Sequence, residues 1–177
     1  MNKESGAQRQ MNKAMLYRPG SINDLPQFME LGQLSYGQYA QVLAPDNFAI
    51  LNRFLHDEKA WAQMIGVSYP FVCEAAGKVV GMAFLVPGGN PTDIYPPDWC
   101  YIRMVGVHPE NAGQGIGKKL TLLCIEKAKE LQEHTIALHT SEFMDAARHI
   151  YESIGFTVLR EIEPRFGKRY WLYTRTV

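Results

Sequence analysis

The chain has 177 residues, of which 46% are hydrophobic and 20% are charged, and these values are typical of one globular domain with a substantial core. Lysine and arginine together number 18, as do aspartate and glutamate, and this balance argues against a dedicated nucleic-acid binder, which usually shows a clear basic excess. No apolar run approaches the roughly 20 residues that a membrane-spanning helix needs, so a membrane partner is not expected.

The chain begins with a polar stretch, MNKESGAQRQMNK, which lacks the apolar core of a signal peptide. It predicts a flexible leader over residues 1–13, followed by a single domain over residues 14–177. The three cysteines, Cys73, Cys100 and Cys124, are widely spaced among apolar residues. This spacing indicates buried, reduced thiols in a cytoplasmic protein rather than disulfides or metal ligands, and we expect no metal cofactor.

The N-terminal third predicts one strand followed by helices. Residues 14–18 form a short apolar segment that ends at Pro-Gly and predict a strand. Residues 25–39 carry apolar side chains near helical spacing. Residues 45–65 begin with Pro-Asp, which suits a helix N-terminus, and their looser pattern leaves open whether they form one helix or two.

From residue 69 the hydrophobic period changes to that of strands. Residues 70–76 and 79–86 flank a Gly-Lys turn and predict a β-hairpin. Residues 87–98 hold four prolines and two glycines, so this segment cannot continue a strand. A loop of this kind on a compact domain is a candidate substrate or lid loop.

Residues 99–107, WCYIRMVGV, form a nearly continuous apolar run, which is typical of a central strand buried on both faces. Strand alternation predicts that Tyr101, Arg103, Val105 and Val107 share one face. Arg103 interrupts the apolar run, and an unpaired buried cation is costly. We therefore expect it to have a carboxylate partner, a substrate acid group or an opening to solvent.

The C-terminal half alternates helices and strands. Residues 116–131 predict an amphipathic helix and residues 135–140 a short strand. Ser141 is a candidate cap for a helix that Gly155 closes, and a last pair of strands follows. The predicted order, β-α-α-β-β-β-α-β-α-β-β, is that of a mixed α/β domain.

Three glycines alternate just before the helix that follows the central strand. Gly113, Gly115 and Gly117 free the backbone to turn its N–H groups toward one point, and the helix start adds unpaired donors and the positive end of its dipole. Lys118 and Lys119 add charge. The pattern predicts a phosphate or pyrophosphate site, although a plain strand-to-helix turn explains the glycines equally well. Neither the Walker A nor the Rossmann spacing is met.

Two separated segments resemble the GNAT acyltransferase family. One is VGVHPENAGQGIGKKL at residues 105–120, which is similar to the family's fourth strand and coenzyme loop with its Gln/Arg-x-x-Gly-x-Gly/Ala signature. The other is AARHIYESIGF at residues 146–156, which is similar to the family's A-x-x-[FL]-Y-x-x-x-G-F segment. Ala112 stands where the signature has Gln or Arg, and Met144 stands where an asparagine is often found.

The resemblance implies a mixed, largely antiparallel central sheet flanked by helices, and acetyl-CoA as the acyl donor. It implies that Val105 and Val107 offer backbone groups to the pantetheine arm and that Tyr151 acts as the general acid near the thioester sulfur. It also makes a homodimer a reasonable expectation. The residues expected to hold the pyrophosphate are Gly113, Gln114, Gly115, Ile116, Gly117 and Lys118.

The general base and the acceptor site are less defined. Glu74, Asp93 and Asp98 are candidate bases, although for each of them a solvated surface carboxylate is the simpler interpretation. We hypothesise that Arg103 and Tyr101 orient an anionic or amino-acid-like acceptor, with an internal salt bridge of Arg103 as the alternative.

The sequence therefore predicts an N-acetyltransferase that moves an acetyl group from acetyl-CoA to the primary amine of a small molecule or an amino-acid-like acceptor. The nearest alternative is acetylation of peptide N-termini or lysine side chains. A non-catalytic acyl-CoA-binding regulatory module and a protein-interaction domain built on the aromatic-rich segment 28–61 are the alternatives from other classes.

Overall fold

The computed structural model describes residues 14–177, so the predicted leader lies outside the described residues. Short 3₁₀ turns lie between some of the longer elements. The longer elements run in chain order as β1 (Met15–Pro19), α1 (Leu25–Gly37), α2 (Pro45–Leu55), α3 (Glu58–Gly66), β2 (Tyr69–Ala75), β3 (Lys78–Val86), β4 (Cys100–Val107), α4 (Ile116–Glu130), β5 (Thr135–Ser141), α5 (Asp145–Ser153), β6 (Thr157–Arg165) and β7 (Lys168–Thr176).

The strands form one sheet in the order β1-β2-β3-β4-β5-β7-β6. Every neighbouring pair is antiparallel except β4 and β5, which run parallel. The predicted fold class, a mixed and largely antiparallel sheet flanked by helices, is confirmed. Within residues 14–177, no helix is long and apolar enough to cross a bilayer.

The sheet buries a separate apolar cluster on each face. On one face, α4 and α5 cover the sheet, and Leu120 and Cys124 of α4 are fully buried. On the other face, α1, α2 and α3 pack around Phe28, Trp61 and Phe84, whose side chains are also fully buried. β4 is the fourth of the seven strands, and it contacts α1 of one helix layer and α4 of the other.

Local signals set some helix ends as expected and others differently. The stretch 45–65 divides in two, because the Asp57 carboxylate accepts a hydrogen bond from Ala60 N (3.1 Å) and starts α3. The prediction for Ser141 is wrong: this residue ends β5, and its Oγ donates to Arg169 O (2.6 Å) instead of capping α5. Gly155 has φ 94° just after α5, as expected for a glycine that closes a helix.

The centre of the sheet opens into a cleft. Strands β4 and β5 pair only through Cys100↔Ile136 and Tyr101↔Ala137. Beyond Tyr101 they are no longer paired, while β5 continues to pair with β7 along its whole length. The parallel pair therefore separates toward the carboxyl ends of its strands.

A bulge in β4 changes which residues face which helices. Met104 and Val105 together lie opposite the single residue Ala83 of β3, and Met104 has the left-handed φ of 53°. Extra residues of this kind reverse the alternation of side chains along a strand. The prediction of one shared face is therefore wrong.

The reversal is visible in what these side chains contact. Before the bulge, Tyr101 packs with Val86 and Tyr95, and Arg103 lies over Phe54 of α2. After it, Val105 and Val107 pack against the cluster beneath α4. The side chains of β4 therefore contact elements on both faces of the sheet.

Candidate active site

Two adjoining cavities occupy the cleft between β4 and β5. The first, which we call the wide cavity, has a volume of about 460 Å³ and is lined by α1, α2, β4, β5, α5 and the β6–β7 turn. The second, the narrow cavity, has a volume of about 310 Å³ and extends along the end of β4 to α5 and the start of α4. Tyr36, Tyr39, Val105 and Tyr151 border both cavities.

Tyr151 lies on α5 where the two cavities meet. Its side chain is 7% exposed and contacts Phe156 in an edge-to-face arrangement. Burial raises the pKa of its hydroxyl well above the usual value, and the nearby Tyr39 and Cys124 raise it further. The hydroxyl makes no hydrogen bond to the described part of the chain. At neutral pH Tyr151 is therefore a protonated phenol that is able to donate.

The glycine-rich loop adopts a backbone that other residues rarely reach. Gly113 and Gly115 have φ values of 76° and 77°, and open space surrounds the position that a Cβ would take at either one. The requirement for glycine at these two positions is therefore conformational. Gly117 has an ordinary helical backbone, and a Cβ there would meet Ile150 at 3.7 Å, an ordinary contact.

The start of α4 presents unpaired donors. Gly115 is its N-cap and supplies no side chain, and Lys119 N donates to Gly115 O (3.0 Å). The amides of Ile116, Gly117 and Lys118 therefore have no acceptor within the helix. Since α4 has 15 residues, its dipole adds positive potential at this point, and such a helix start is the geometry that binds phosphate groups.

The side chains of this loop contribute unequally. Ile116 is 1% exposed and belongs to the core beneath α4, so only its backbone is available to a ligand. Gln114 and Lys118 are exposed. Ala112 lines the narrow cavity and has no polar side chain to offer.

The free edge of β4 offers backbone groups to the cleft. His108 N donates to Val80 O (2.8 Å), and Val107 lies opposite Gly81. Because antiparallel partners alternate between bonded and non-bonded pairs, the N–H and C=O of Val107 point away from β3. The carbonyl of Val105 already accepts a hydrogen bond from Tyr36 Oη (3.1 Å), which leaves it one lone pair.

Ser35 on α1 is a polar residue of the narrow cavity that the sequence analysis did not identify. It is 5% exposed, and its Oγ has no hydrogen-bond partner among the described residues. A Cβ at Gly106 of β4 would lie 2.8 Å from this oxygen, so the glycine makes room for it. The pairing could not be found from the sequence, because the two residues are distant in the chain and only the packing of α1 on β4 joins them.

Arg103 lines the wide cavity on the side of α2. It is partly buried, and its guanidinium carbon lies 6.0 Å from the centre of the Phe54 ring. None of the ion pairs formed by residues 14–177 includes it. The alternative of an internal salt bridge therefore finds no carboxylate within the described chain.

His139 on β5 is the second residue of the cavities that the sequence analysis missed. Its Nδ1 lies 2.7 Å from Tyr95 Oη. Burial, together with the positive charges of Arg165 and Arg103, lowers the pKa of the imidazole to about 4. The ring remains accessible from the wide cavity, so it presents a neutral imidazole at neutral pH.

The proline-rich loop lies behind this histidine. Tyr95 stacks on Tyr101, with ring centres 4.1 Å apart, and Tyr101 Oη donates to Asn90 O (3.0 Å). Neither tyrosine lines the wide or the narrow cavity. The structure therefore brings Tyr101 to the loop that supports His139, and does not bring its side chain into the cavities with Arg103.

The three carboxylates considered as bases all lie outside the wide cavity. Glu74 on β2 pairs with Arg18 (3.0 Å), and Asp98 is exposed. Asp93 pairs with Arg165 (3.0 Å) at the rim, where its own side chain is 75% exposed. Residues 14–177 contain no cluster of three side chains able to hold a metal ion.

Comparison with known proteins decides the family. The sequence model of the Acetyltransferase (GNAT) family matches residues 36–156. The chain belongs to the GNAT acetyltransferases. The match begins at the end of α1 and ends just after α5. It therefore includes the glycine-rich loop, Tyr151 and most of the residues that line the two cavities.

Two Escherichia coli K12 relatives share part of the sequence. The uncharacterized N-acetyltransferase YjgM is 33% identical over 87 residues, which are 49% of this chain and 49% of that protein. The L-amino acid N-acyltransferase MnaT is 31% identical over 70 residues, 38% of this chain and 40% of that protein. The chain thus spans about half or less of the length of these relatives.

Solved GNAT structures resemble the whole domain. The PaiA N-acetyltransferase of Thermoplasma acidophilum, in complex with coenzyme A, has a TM-score of 0.74 at 15% identity and covers 93% of this chain and 99% of that one. The acetyltransferase YncA of Salmonella typhimurium, solved with acetyl-CoA, has a TM-score of 0.66 at 20% identity, covering 92% and 94%. At these identities the likeness establishes the fold.

This GNAT chain departs from the family pattern at two positions of the narrow cavity. Besides Ala112, Met144 lines that cavity, and its sulfur accepts a weak hydrogen bond from Thr140 Oγ1 (3.5 Å). Neither side chain supplies a strong donor. A ligand in the narrow cavity would therefore receive no strong hydrogen bond from these two positions and would depend on backbone groups and on other polar side chains of the lining, Ser35 among them.

Proposed function

We propose that the protein is an N-acetyltransferase that transfers the acetyl group of acetyl-CoA to the primary amine of a small-molecule or amino-acid-like acceptor. The observation that carries the proposal is the meeting of the two cavities at Tyr151, with Ala112 and Gly117, on either side of the turn at Gly113–Gly115, in the lining of the narrow one. The family membership and the coenzyme complexes of the similar structures support it.

The narrow cavity has the groups that a coenzyme A thioester requires. The pyrophosphate would bind the free amides at the start of α4, with Lys118 adding charge. The pantetheine arm would bind the backbone of Val107 as an added strand does. The unpaired hydroxyl of Ser35 is a further partner for this arm, because a buried hydroxyl without a hydrogen bond is costly until a ligand supplies one.

The chemistry proposed is direct attack of the amine on the thioester carbonyl. An alkyl amine with a pKa near ~10.4 is mostly protonated at neutral pH and must reach the carbonyl in its neutral form. The carbon–nitrogen bond forms and the carbon–sulfur bond breaks. The departing thiolate, whose parent thiol has a pKa near ~8.5, takes a proton from Tyr151, which then recovers one from solvent.

The amine proton needs an acceptor in a wide cavity whose lining includes no carboxylate. His139 is the candidate, because its imidazole is neutral and accessible there. With Nδ1–H donating to Tyr95 Oη, the Nε2 atom would be free to accept the proton directly or through a water. Its low pKa favours rapid release of that proton to solvent.

One observation keeps a second function open. The wide cavity lacks the carboxylate that would serve as a strong base, as expected for a regulatory module that binds acyl-CoA without turnover. Tyr151 has no evident purpose in such a module.

Acetylation of peptide N-termini or lysines is the alternative within the enzyme class. A cytoplasmic location and a homodimer remain proposals, the first resting on three buried, unpaired cysteines.

Two measurements on the purified chain test the proposed function. Calorimetric titration with acetyl-CoA should give saturable binding, and a panel of amines should cause release of free coenzyme A with formation of the N-acetyl product. Each product is identified by mass spectrometry. Tight binding without turnover across free amino acids, alkyl amines and peptides would favour the regulatory module.

A further inference from the structure

The lining of the wide cavity includes positively charged side chains and no acidic one. Two guanidinium groups line it, Arg103 and Arg165, together with the neutral imidazole of His139. Arg165 is paired with Asp93, whose exposed carboxylate lies outside the lining, and Arg103 pairs with no described carboxylate. A guanidinium in partly desolvated surroundings is stabilised by an anion that accepts two hydrogen bonds in parallel.

The rest of the wall is apolar and largely aromatic. The aromatic residues that line the wide cavity include Phe54 of α2, Phe143, Phe166 of the β6–β7 turn and Tyr170 of β7. Rings of this kind provide apolar contact area for a ligand body of similar character. Nothing in the wall would neutralise a second ammonium group, so a polyamine or an aminoglycoside would leave charges unpaired.

We propose that the acceptor is a small amine that also carries a carboxylate and an apolar or aromatic body, as an apolar α-amino acid does. Arg103 binds the carboxylate, Arg165 contributes from the rim, and the aromatic wall holds the side chain. This inference rests on the proposed function and specifies its acceptor.

The position of Arg103 on β4 supports this assignment. Arg103 comes directly before the bulge at Met104, and Val105, directly after it, borders the narrow cavity as well. Arg103 and Tyr151 line the same cavity, so a carboxylate bound at Arg103 would hold the α-amine, one carbon away, within the space that Tyr151 borders. An acceptor that lacks the carboxylate loses this orientation, and a misplaced nucleophile reacts slowly.

The test compares acceptors that differ only in the acid group. Phenylalanine, phenylalaninamide and phenethylamine share the aromatic body, and only the first has a carboxylate. Rates of coenzyme A release are measured for the unmodified chain and for Arg103→Gln, Arg103→Lys and Arg165→Gln. Arg160→Gln is the matched control, because Arg160 is exposed on β6 outside both cavities. Acetyl-CoA titration and melting temperature verify each variant.

We expect kcat/KM for phenylalanine to exceed that for phenylalaninamide by about tenfold or more, the range of a charge-assisted hydrogen bond. Arg103→Gln should remove this preference by raising the KM for phenylalanine about tenfold or more, with phenylalaninamide and acetyl-CoA little affected. Arg103→Lys should restore part of the preference, Arg165→Gln should reduce it less, and Arg160→Gln should leave it unchanged.

The outcomes separate the two proposals. Equal turnover of phenylalanine and its amide, or an equal loss on both in Arg103→Gln, would overturn the acceptor assignment while the acetyltransferase activity stands. Preference for spermidine or for a lysine-containing peptide would do the same. Binding of acetyl-CoA without turnover of any amine would instead overturn the proposed function, and the acceptor assignment with it.

Discussion

Tyr151 and Tyr17 are both tyrosines whose pKa is raised by burial, but only one lies at the junction of the cavities. The pKa of the Tyr17 hydroxyl, on β1, is raised to about 12 by burial and by the neighbouring Cys73 thiol. Tyr151 has a free hydroxyl that faces ligand space, as its position in the lining of both cavities indicates. Substituting each of the two tyrosines therefore distinguishes the effect of losing a proton donor at the site from the effect of losing a tyrosine hydroxyl elsewhere.

Tyr151→Phe is expected to lower kcat by about 100-fold or more, the contribution typical of a positioned acid. The KM for acetyl-CoA should stay within about threefold, since the ring and its packing remain. Because the raised pKa keeps the phenol protonated, the unmodified enzyme should show no loss of this donor below pH 10, its ordinary pKa. Steady-state kinetics over pH 6–10 provide the measurement.

Tyr17→Phe serves as the control for this substitution, because it removes a partly buried tyrosine hydroxyl that lies outside both cavities. It should leave kcat unchanged. Equal rates for Tyr151→Phe and the unmodified chain would contradict the acid assignment, and a drop in kcat for both variants would point to a general loss of stability.

The site residues differ in whether the sequence alone predicts that they belong to the site. Arg103 is noticeable as a charge within an apolar strand, and Tyr151 follows from the resemblance of its segment to the family. His139 and Ser35 carry no such signal. The partner of His139 is Tyr95, 44 positions earlier in the chain, and the setting of Ser35 depends on a glycine of another element. Contacts of this range exist only once the sheet has formed.

At the scale of elements, the glycine-rich loop and the β2–β3 turn share one backbone conformation in two settings. Gly115 has φ 77° at the start of α4, and Gly77 has φ 75° in the hairpin turn. Open space surrounds a Cβ at each position. A bulky residue therefore brings similar strain to both, of about 1–2 kcal/mol, but only one of them lies at the expected coenzyme site.

Gly115→Val should weaken acetyl-CoA binding by about 30-fold or more, because the strained backbone turns the free amides of α4 away from the phosphates. Gly77→Val should lower the melting temperature about as much as Gly115→Val does. It should leave the dissociation constant for acetyl-CoA within about twofold of that of the unmodified chain. Calorimetric titration and thermal unfolding of both variants give the comparison. Normal affinity in Gly115→Val would exclude this loop as the pyrophosphate site.

The element boundaries were largely predictable, and the irregularities within them were not. Hydrophobic periodicity correctly indicated β4 and α4, since each is an unbroken run of one pattern. The bulge at Met104 was missed, because its position is set by the pairing of β4 with β3, and nothing in WCYIRMVGV marks it. Ser141 was assigned to the wrong element for a related reason: the carbonyl of Arg169, on the neighbouring β7, competes for its hydroxyl.

At the scale of the whole molecule, the order of elements follows from the sequence, whereas the order of the strands in the sheet is known only from the structure. Periodicity does not indicate that β7 inserts between β5 and β6. It also does not indicate that β4 and β5 separate after two paired residues. That separation creates the cleft, and His139 of β5 lies in its wall. Because the folded chain lowers the pKa of His139, the protonation of this residue affects the free energy of unfolding.

The sign of this effect follows from linkage. The unfolded chain protonates His139 near pH 6.5, but the folded chain does so only near pH 4. The contribution of His139 to the free energy of unfolding is therefore fully present above pH 6.5 and is lost as the pH falls toward 4. In that range the unfolded state binds a proton at this residue and the folded state does not. At pH 5 the loss should reach at most about 2 kcal/mol, less to the extent that solvent enters through the wide cavity.

The groups that face His139 define the test. Arg103 and Arg165 lower its pKa, and Asp93 raises it. His139→Gln should therefore lose less stability than the unmodified chain when the pH is lowered from 7 to 5 in urea unfolding experiments. Exposed His134→Gln is the matched control and should behave as the unmodified chain does. The carboxyl pKa of Asp24 is held below its usual 3.8 by Arg18, so that group contributes only at lower pH. An unfolding free energy that stays constant between pH 7 and 5 would contradict a His139 that remains neutral in the folded chain.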